Sequence, residues 1–228
     1  MSNERLLVYS SGATAPPIRK SSEVFSERFD TEFDFVVGRA EKLFSIMTEK
    51  EEGDVLQCGA EYIFDDAERK GLILKRSRRS VGYRKSVILV PIGNPKKISS
   101  LEDLIKEGVK IGVAATGCLV GVWDDVSSKA GITNEVLRNI THLADGCGDV
   151  MSLIHEGKVD AIFGWDAFEN IWPKTSEAIE IPENLQVLRS TGVGVLNYSK
   201  KKQLAGRFID FLVSEEGKRI YKEYGWTH

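Results

Sequence analysis

Short apolar runs that end in small or hydroxyl-bearing residues alternate along the chain with longer stretches whose apolar positions recur every three or four residues. The first run, Leu6-Leu7-Val8, leads into Tyr9-Ser10-Ser11-Gly12-Ala13-Thr14-Ala15-Pro16-Pro17. Proline is tolerated in a first helical turn because its missing N–H would be unpaired there, so a helix is predicted to start at this point. Its pattern buries Ile18, Val24, Phe25 and Phe29 and leaves Arg19, Lys20, Glu23, Glu27 and Arg28 in water. Glu32 to Val37 reads as a second strand ending at Gly38, and Ala40 to Lys50 as a second helix with Leu43, Phe44, Ile46 and Met47 inward. Asp54 to Gly59 and Ala60 to Lys70 repeat the unit, closed by Gly71. Three βα units in a row imply a parallel sheet whose strands end on one edge, where ligands of open α/β sheets bind.

From Val81 to Val90 a longer apolar strand runs until Pro91-Ile92-Gly93-Asn94-Pro95 breaks it, and a domain crossing is predicted there. Ser100 is placed as the N-cap of the next helix, with Asp103 at the capping-box position. Lys110 to Ala114 is a strand, and Thr116-Gly117-Cys118-Leu119-Val120-Gly121 opens a helix running toward Lys129. A further strand, Thr141 to Ala144, precedes Asp145-Gly146-Cys147-Gly148-Asp149, which opens a helix with Val150, Leu153 and Ile154 inward. Asp160 to Gly164 follows, ending at Trp165-Asp166. Glu177 to Ile181 and Leu185 to Arg189 read as short strands and Val193 to Asn197 as a return strand. Two final helices, marked by Leu204, Phe208, Phe211 and Leu212 and then by Ile220, Tyr221 and Tyr224, need a core, and the first block offers one. The expected organisation is an α/β chain of two lobes. Residues 1–90 with 191–228 form one and 91–190 the other, with crossings near 88–93 and 186–194 and a ligand cleft between them.

Composition narrows the function. At 228 residues the chain is long enough for two modest cores, and a net charge of −3 gives no nucleic-acid footprint. The basic run Lys75, Arg76, Arg78, Arg79, Arg84, Lys85 reads as a solvated face. No stretch approaches the roughly 18 apolar residues of a membrane span. Met1-Ser2-Asn3-Glu4-Arg5 leads straight into the first strand without the pattern of a secretory leader, which fits either a cytoplasmic protein or a mature exported chain. Three cysteines, an odd number, leave at least one thiol unpaired within the monomer.

The first turn is the leading candidate for chemistry. A strand, the Ser10 and Ser11 hydroxyls, Gly12 and a helix N-terminus together form an anion seat, because backbone N–H groups and the helix dipole point at one spot. The alternative is that the serines merely cap the helix. Arg39 lies at the second strand-to-helix junction, beside Gly38 and Ala40.

Phe208 to Gly217, with Ile220 and Tyr224-Gly225-Trp226 after it, resembles the closing helices of type II periplasmic solute-binding proteins of ABC transporters. The molybdate- and tungstate-binding subfamily is the nearest match. The serine loop before a proline-rich helix start, the Gly53-Asp54-Val55 block followed by Ala60-Glu61-Tyr62, and the Ser100 to Leu104 segment belong to the same resemblance. It implies a two-lobed fold, each lobe a mostly parallel sheet flanked by helices. It also implies an oxyanion held without counter-charge by hydroxyls and amides, hinge closure on it, and an ABC permease as partner at a periplasmic or extracellular location. Carried over by position, the contacts are Ser10, Ser11 and the Gly38-Arg39-Ala40 turn, then Val120, Val150 and Trp165.

Two departures stand out. Arg39 replaces the usual serine and Trp165 the usual tyrosine, a pair that suits a ligand larger than a bare tetrahedral anion, since arginine brings a planar fork of charged donors and tryptophan one N–H and a flat surface. Cys58, Cys118 and Cys147 all fall at strand-to-helix turns, so they are ligand-site candidates and candidate metal ligands. A three-thiolate set would hold a soft metal such as zinc or copper(I), while Cys118 and Cys147 could instead form a disulfide. No cofactor is implied. Neither a Gly-x-Ser-x-Gly elbow, a P-loop nor a His-Glu-x-x-His motif is present, and no nucleophile has an evident base, so the expectation is a binding protein rather than an enzyme.

Overall fold

The computed structural model describes residues 4–228, which divide into two compact units, residues 4–83 with Arg189–His228 and Arg84–Leu188. The first unit opens with β1 (Glu4–Ser11), a 3₁₀ turn over Gly12–Thr14, α1 (Ala15–Phe29), β2 (Thr31–Gly38), α2 (Ala40–Lys50), β3 (Val55–Gly59) and α3 (Glu61–Arg69). β1 pairs in parallel with β2 and with β3. The register sets Ser10 beside Val37 and Gln57, and Ser11 beside Gly38, so the three strand ends share one edge as the repeated βα pattern predicts.

β4 (Arg79–Pro91) carries the chain into the second unit, so the division falls inside this strand, at Tyr83–Arg84, rather than at its proline-rich end. There β5 (Ile111–Ala114), α4 (Val122–Ala130), α5 (Thr133–Asn139), β6 (Ile140–Ala144), α6 (Cys147–His155), β7 (Ala161–Trp165), α7 (Phe168–Ile171) and β8 (Ser176–Glu180) follow. β5 is parallel to β6 and β7, while β4 is antiparallel to β7 and β8. The sheet of this unit is therefore mixed, not mostly parallel. The helix expected from Thr116 toward Lys129 is interrupted, because Gly121 adopts a left-handed φ of +73° after the 3₁₀ turn Gly117–Leu119 and α4 starts afresh. At Leu101–Ile105 a 3₁₀ segment replaces the expected helix, with the Ser100 and Asp103 capping box in place.

β9 (Leu188–Val195) returns to the first unit antiparallel to β3, and α8 (Lys202–Leu212) and α9 (Glu215–Glu223) end the fold. It is one strand where the sequence suggested two, since Glu183–Leu185 forms a 3₁₀ turn and the run from Leu188 onward is continuous. The last helices do pack on the first block. Phe25 of α1 meets Phe208 and Phe211 edge-on, with ring centroids 5.2 and 5.6 Å apart. Such pairs contribute about 0.5–1.5 kcal/mol beyond their buried area.

Between α8 and α9, Ser214 caps α9 by accepting the Gly217 N–H at 3.3 Å. A Cβ at Gly217 would lie 2.3 Å from the carbonyl oxygens of both Phe211 and Leu212, and backbone cannot give way as a side chain does. Gly217→Ala should therefore destabilise by about 2 kcal/mol or more in urea unfolding, despite alanine's helix advantage of about 1 kcal/mol. A neutral or stabilising result would mean the α8–α9 corner is looser than described.

Candidate functional site

In the first unit the hydroxyls after β1 converge. Ser10 Oγ lies 3.2 Å and Ser11 Oγ 2.9 Å from Thr14 Oγ1, and Thr14 Oγ1 donates to the Ser11 carbonyl at 3.0 Å. Neither the 3₁₀ turn nor α1 receives a side-chain cap, so the helix-cap alternative for these serines does not hold. Ser10 and Thr14 are buried, Ser11 is half-buried and Gly12 is exposed, so Ser11 and Gly12 form the front of the cluster. Each hydroxyl carries one rotatable proton. An arriving anion therefore competes with neutral bonds of about 1 kcal/mol and offers charge-assisted ones roughly twice as strong.

Thr14 is held from behind. Buried Gln57 donates Nε2–H to the Thr14 carbonyl at 2.7 Å, and its Oε1 accepts the hydroxyl of buried Tyr221 from α9. At the β2–α2 turn Arg39 is exposed in the N-cap position and Ala40 is buried. Cys58 is fully buried on β3. Next to it, Ala60 takes a φ of +115°, a region that alanine avoids, with its N–H on the Ser190 carbonyl at 3.0 Å.

In the second unit the ends of β5, β6 and β7 carry Cys118, Cys147 and Trp165. The first two turns meet at glycines, since a Cβ on Gly117 (φ +74°) would sit 3.8 Å from Cα of Gly146 (φ +144°). The Thr116 hydroxyl donates to the Asp145 carbonyl at 2.6 Å and the Ala115 N–H to the Ala144 carbonyl at 2.8 Å. Cys118 Sγ and Cys147 Sγ are then 2.7 Å apart. Cys118 also accepts the Trp165 indole N–H at 3.3 Å and an Arg84 guanidinium N–H at 3.4 Å, and Arg84 lies 5.1 Å from the Trp165 ring centroid.

These contacts set the charge. The hydrogen bond from Cys147, helped by Arg84 and Trp165, pulls the Cys118 thiol down to about 5 against the effect of burial. The same bond, together with burial, pushes Cys147 well above the usual thiol range. Cys118 is thus the more acidic sulfur of the pair.

Several expectations need correction. Arg84, placed by sequence on a solvated basic face, is fully buried. Strand alternation was the available signal, since Gly82, Arg84 and Ser86 are buried while Tyr83 is exposed and Lys85 half-buried. The indole N–H of Trp165 points at sulfur. The Val120 and Val150 N–H groups, expected to face a ligand, bond the Gly117 and Gly146 carbonyls at 3.1 and 3.0 Å, as the tight turn and the helix each require. Cys58 belongs to the first unit and the other two thiols to the second, and among the described residues no group of three or more His, Cys, Asp or Glu side chains is placed to hold a metal ion. Thr14, Gln57 and Arg84 are the site residues that the sequence reading missed.

The sheets and βα turns agree with what the comparisons give about the fold. Residues 6–227 match the family of bacterial extracellular solute-binding proteins, and the chain belongs to it. Its fold is that of the type II periplasmic binding proteins. The molybdate-binding protein ModA of Mycobacterium bovis is 23% identical over 197 residues, 85% of this chain and 72% of that protein. PEB3 of Campylobacter jejuni, solved with L-phospholactate bound, superposes with a TM-score of 0.86 at 24% identity, covering 98% of this chain and 99% of PEB3. The periplasmic molybdate-binding protein of Azotobacter vinelandii superposes with a TM-score of 0.79 at 14% identity, covering 98% and 99%. Among the described residues no helix is long and apolar enough to cross a membrane.

One titration is a testable consequence. Asp166 accepts the Ala167 and Lys85 N–H groups at 2.8 and 3.2 Å, yet burial outweighs them and raises its carboxyl from 3.8 to about 6. The folded state then holds this proton more tightly than the unfolded one, so the contribution of Asp166 to stability is lost as pH rises from 3.8 to about 6. Asp166→Asn should flatten the stability profile across that window in chemical denaturation. An unchanged profile would place the carboxylate in water.

Proposed function

We propose that this protein is the solute-binding component of an ABC transporter that captures a small tetrahedral oxyanion outside the cytoplasmic membrane and presents it to the permease. Molybdate or tungstate is the first solute. The observation that carries this reading is the hydroxyl cluster of Ser10, Ser11 and Thr14 at the start of α1, which caps nothing and is anchored by Gln57. Neutral donors on a fixed turn suit an anion that must be released intact, because they bind it without a counter-charge. Kinship with the ModA sequence adds weight. Ser11 and Gly12 are the proposed front contacts, with the Arg39–Ala40 turn beside them; in the second unit the Val120 and Val150 N–H groups and the Trp165 indole are already engaged.

A second reading, a phosphorylated small organic acid, shares the same tetrahedral group. It is favoured by exposed Arg39, whose guanidinium offers a charged fork at the adjacent turn, and by the likeness to PEB3 with its L-phospholactate.

Thermal unfolding with molybdate, tungstate, sulfate, phosphate and phospholactate separates the readings. A true solute at one hundred times its Kd stabilises by about 2.7 kcal/mol, a rise of roughly 5–10 °C for a chain of this size. Ser11→Ala should weaken that solute by about tenfold or more. A shift with phospholactate but not with molybdate or tungstate would transfer the assignment to the second reading. No shift with any of these anions would refute both.

A further inference from the structure

The Cys118–Cys147 pair lies outside the hydroxyl cluster, and its surroundings differ from those of an ordinary buried thiol. Two turns are brought together through Gly117 and Gly146, the sulfurs stand 2.7 Å apart, and one of them accepts hydrogen bonds from a fully buried arginine and a fully buried tryptophan. A buried guanidinium is expensive unless its charge is answered nearby, and the Cys118 sulfur accepts one of its N–H groups at 3.4 Å. Cys118 is 6% exposed, so a reagent that reaches it must be small. Cys147, half-buried at the N-terminus of α6, stands where a resolving thiol belongs.

We propose that Cys118 and Cys147 form a peroxide-reactive dithiol that closes to a reversible intramolecular disulfide, with Cys118 as the attacking sulfur, Cys147 as the resolving one, and Arg84 and Trp165 as positioning residues. The Cys118 thiolate attacks one peroxide oxygen. The S–O bond forms, the O–O bond breaks, and the departing hydroxide takes a proton from solvent to become water. Cys147 then attacks the Cys118 sulfur. The S–S bond forms and the S–O bond breaks, and the second hydroxide leaves as water with the Cys147 proton. In sum two thiols lose two electrons and two protons, and one peroxide becomes two waters. Thiolate character and a neighbouring second cysteine are the two features that separate redox-active from inert buried cysteines. The acidity of Cys118 follows from the contacts described above, and Cys58 on β3 serves as the internal reference because it lies in the other unit. The inference does not depend on the identity of the solute.

The test is stoichiometric. The full chain is treated with one equivalent of hydrogen peroxide, its thiols are alkylated under denaturing conditions, and its peptides are weighed. Two of the three thiols should disappear, the peptides carrying Cys118 and Cys147 should become linked with loss of two hydrogens, and dithiothreitol should restore both. In Cys147→Ser the first step should stop at a Cys118 sulfenic acid that dimedone captures, and Cys118→Ser should not react. Arg84→Gln should move the pH midpoint of the peroxide reaction upward by about one unit; should that variant fold poorly, Trp165→Phe removes one sulfur donor and should move the midpoint in the same direction. Three intact thiols, a link through Cys58, accumulation of sulfinic acid without a linked peptide, or full reactivity in Cys118→Ser would each overturn the proposal.

Discussion

Gln57 is the side chain on which the first unit's hydroxyl cluster depends. It is fully buried in β3, its amide donates to the Thr14 carbonyl, and its oxygen accepts from Tyr221. A buried amide left without partners costs about 1–3 kcal/mol, so these bonds hold one another in place. Through them the turn after β1 is tied to α9, the last helix of the chain. Tyr221 in turn packs edge-on against Trp226, whose indole donates to Thr191 on β9 at 2.8 Å. The return of the C-terminal helices to the first block is thus more than a way of covering apolar surface. It fixes the position of three hydroxyls some two hundred residues upstream, as the proposed anion seat requires.

The second unit meets the same problem with different chemistry. Its turns are fastened by backbone approach at Gly117 and Gly146 and by the Thr116 hydroxyl, and its interior carries a charge. Buried Arg84 lies over the aromatic face of Trp165 and donates to the Cys118 sulfur. Burial that would be unfavourable for a guanidinium alone is offset by such partners.

Much of this was legible in the sequence. Periodicity placed the βα units and the turns that carry Ser10, Ser11, Arg39, Cys58, Cys118 and Cys147, because strand and helix periods differ and the turns between them are rich in glycine and hydroxyls. The resemblance carried by the Phe208-to-Gly217 helices gave the family, and the clash awaiting any side chain at Gly217 explains why a glycine stands there. What stayed hidden depends on partners distant in the chain. Gln57 is one polar residue in an apolar strand until Thr14 and Tyr221 are seen against it, and Arg84 is one of six basic residues in a short stretch until strand alternation turns it inward. The Val120 and Val150 amides illustrate the opposite failure, since position suggested a ligand contact but local turn geometry claimed the N–H groups first.

The central claim is that the hydroxyl turn after β1 is where the solute oxyanion sits. A crystal structure of the protein grown with tungstate, using the anomalous signal of tungsten, tests it directly. The account predicts a tungsten peak with its oxygens within hydrogen-bonding distance of Ser11 and the Gly12 backbone, and Thr14 unmoved on Gln57. A peak elsewhere, with the Ser10, Ser11 and Thr14 hydroxyls still bonded only to one another, would contradict it.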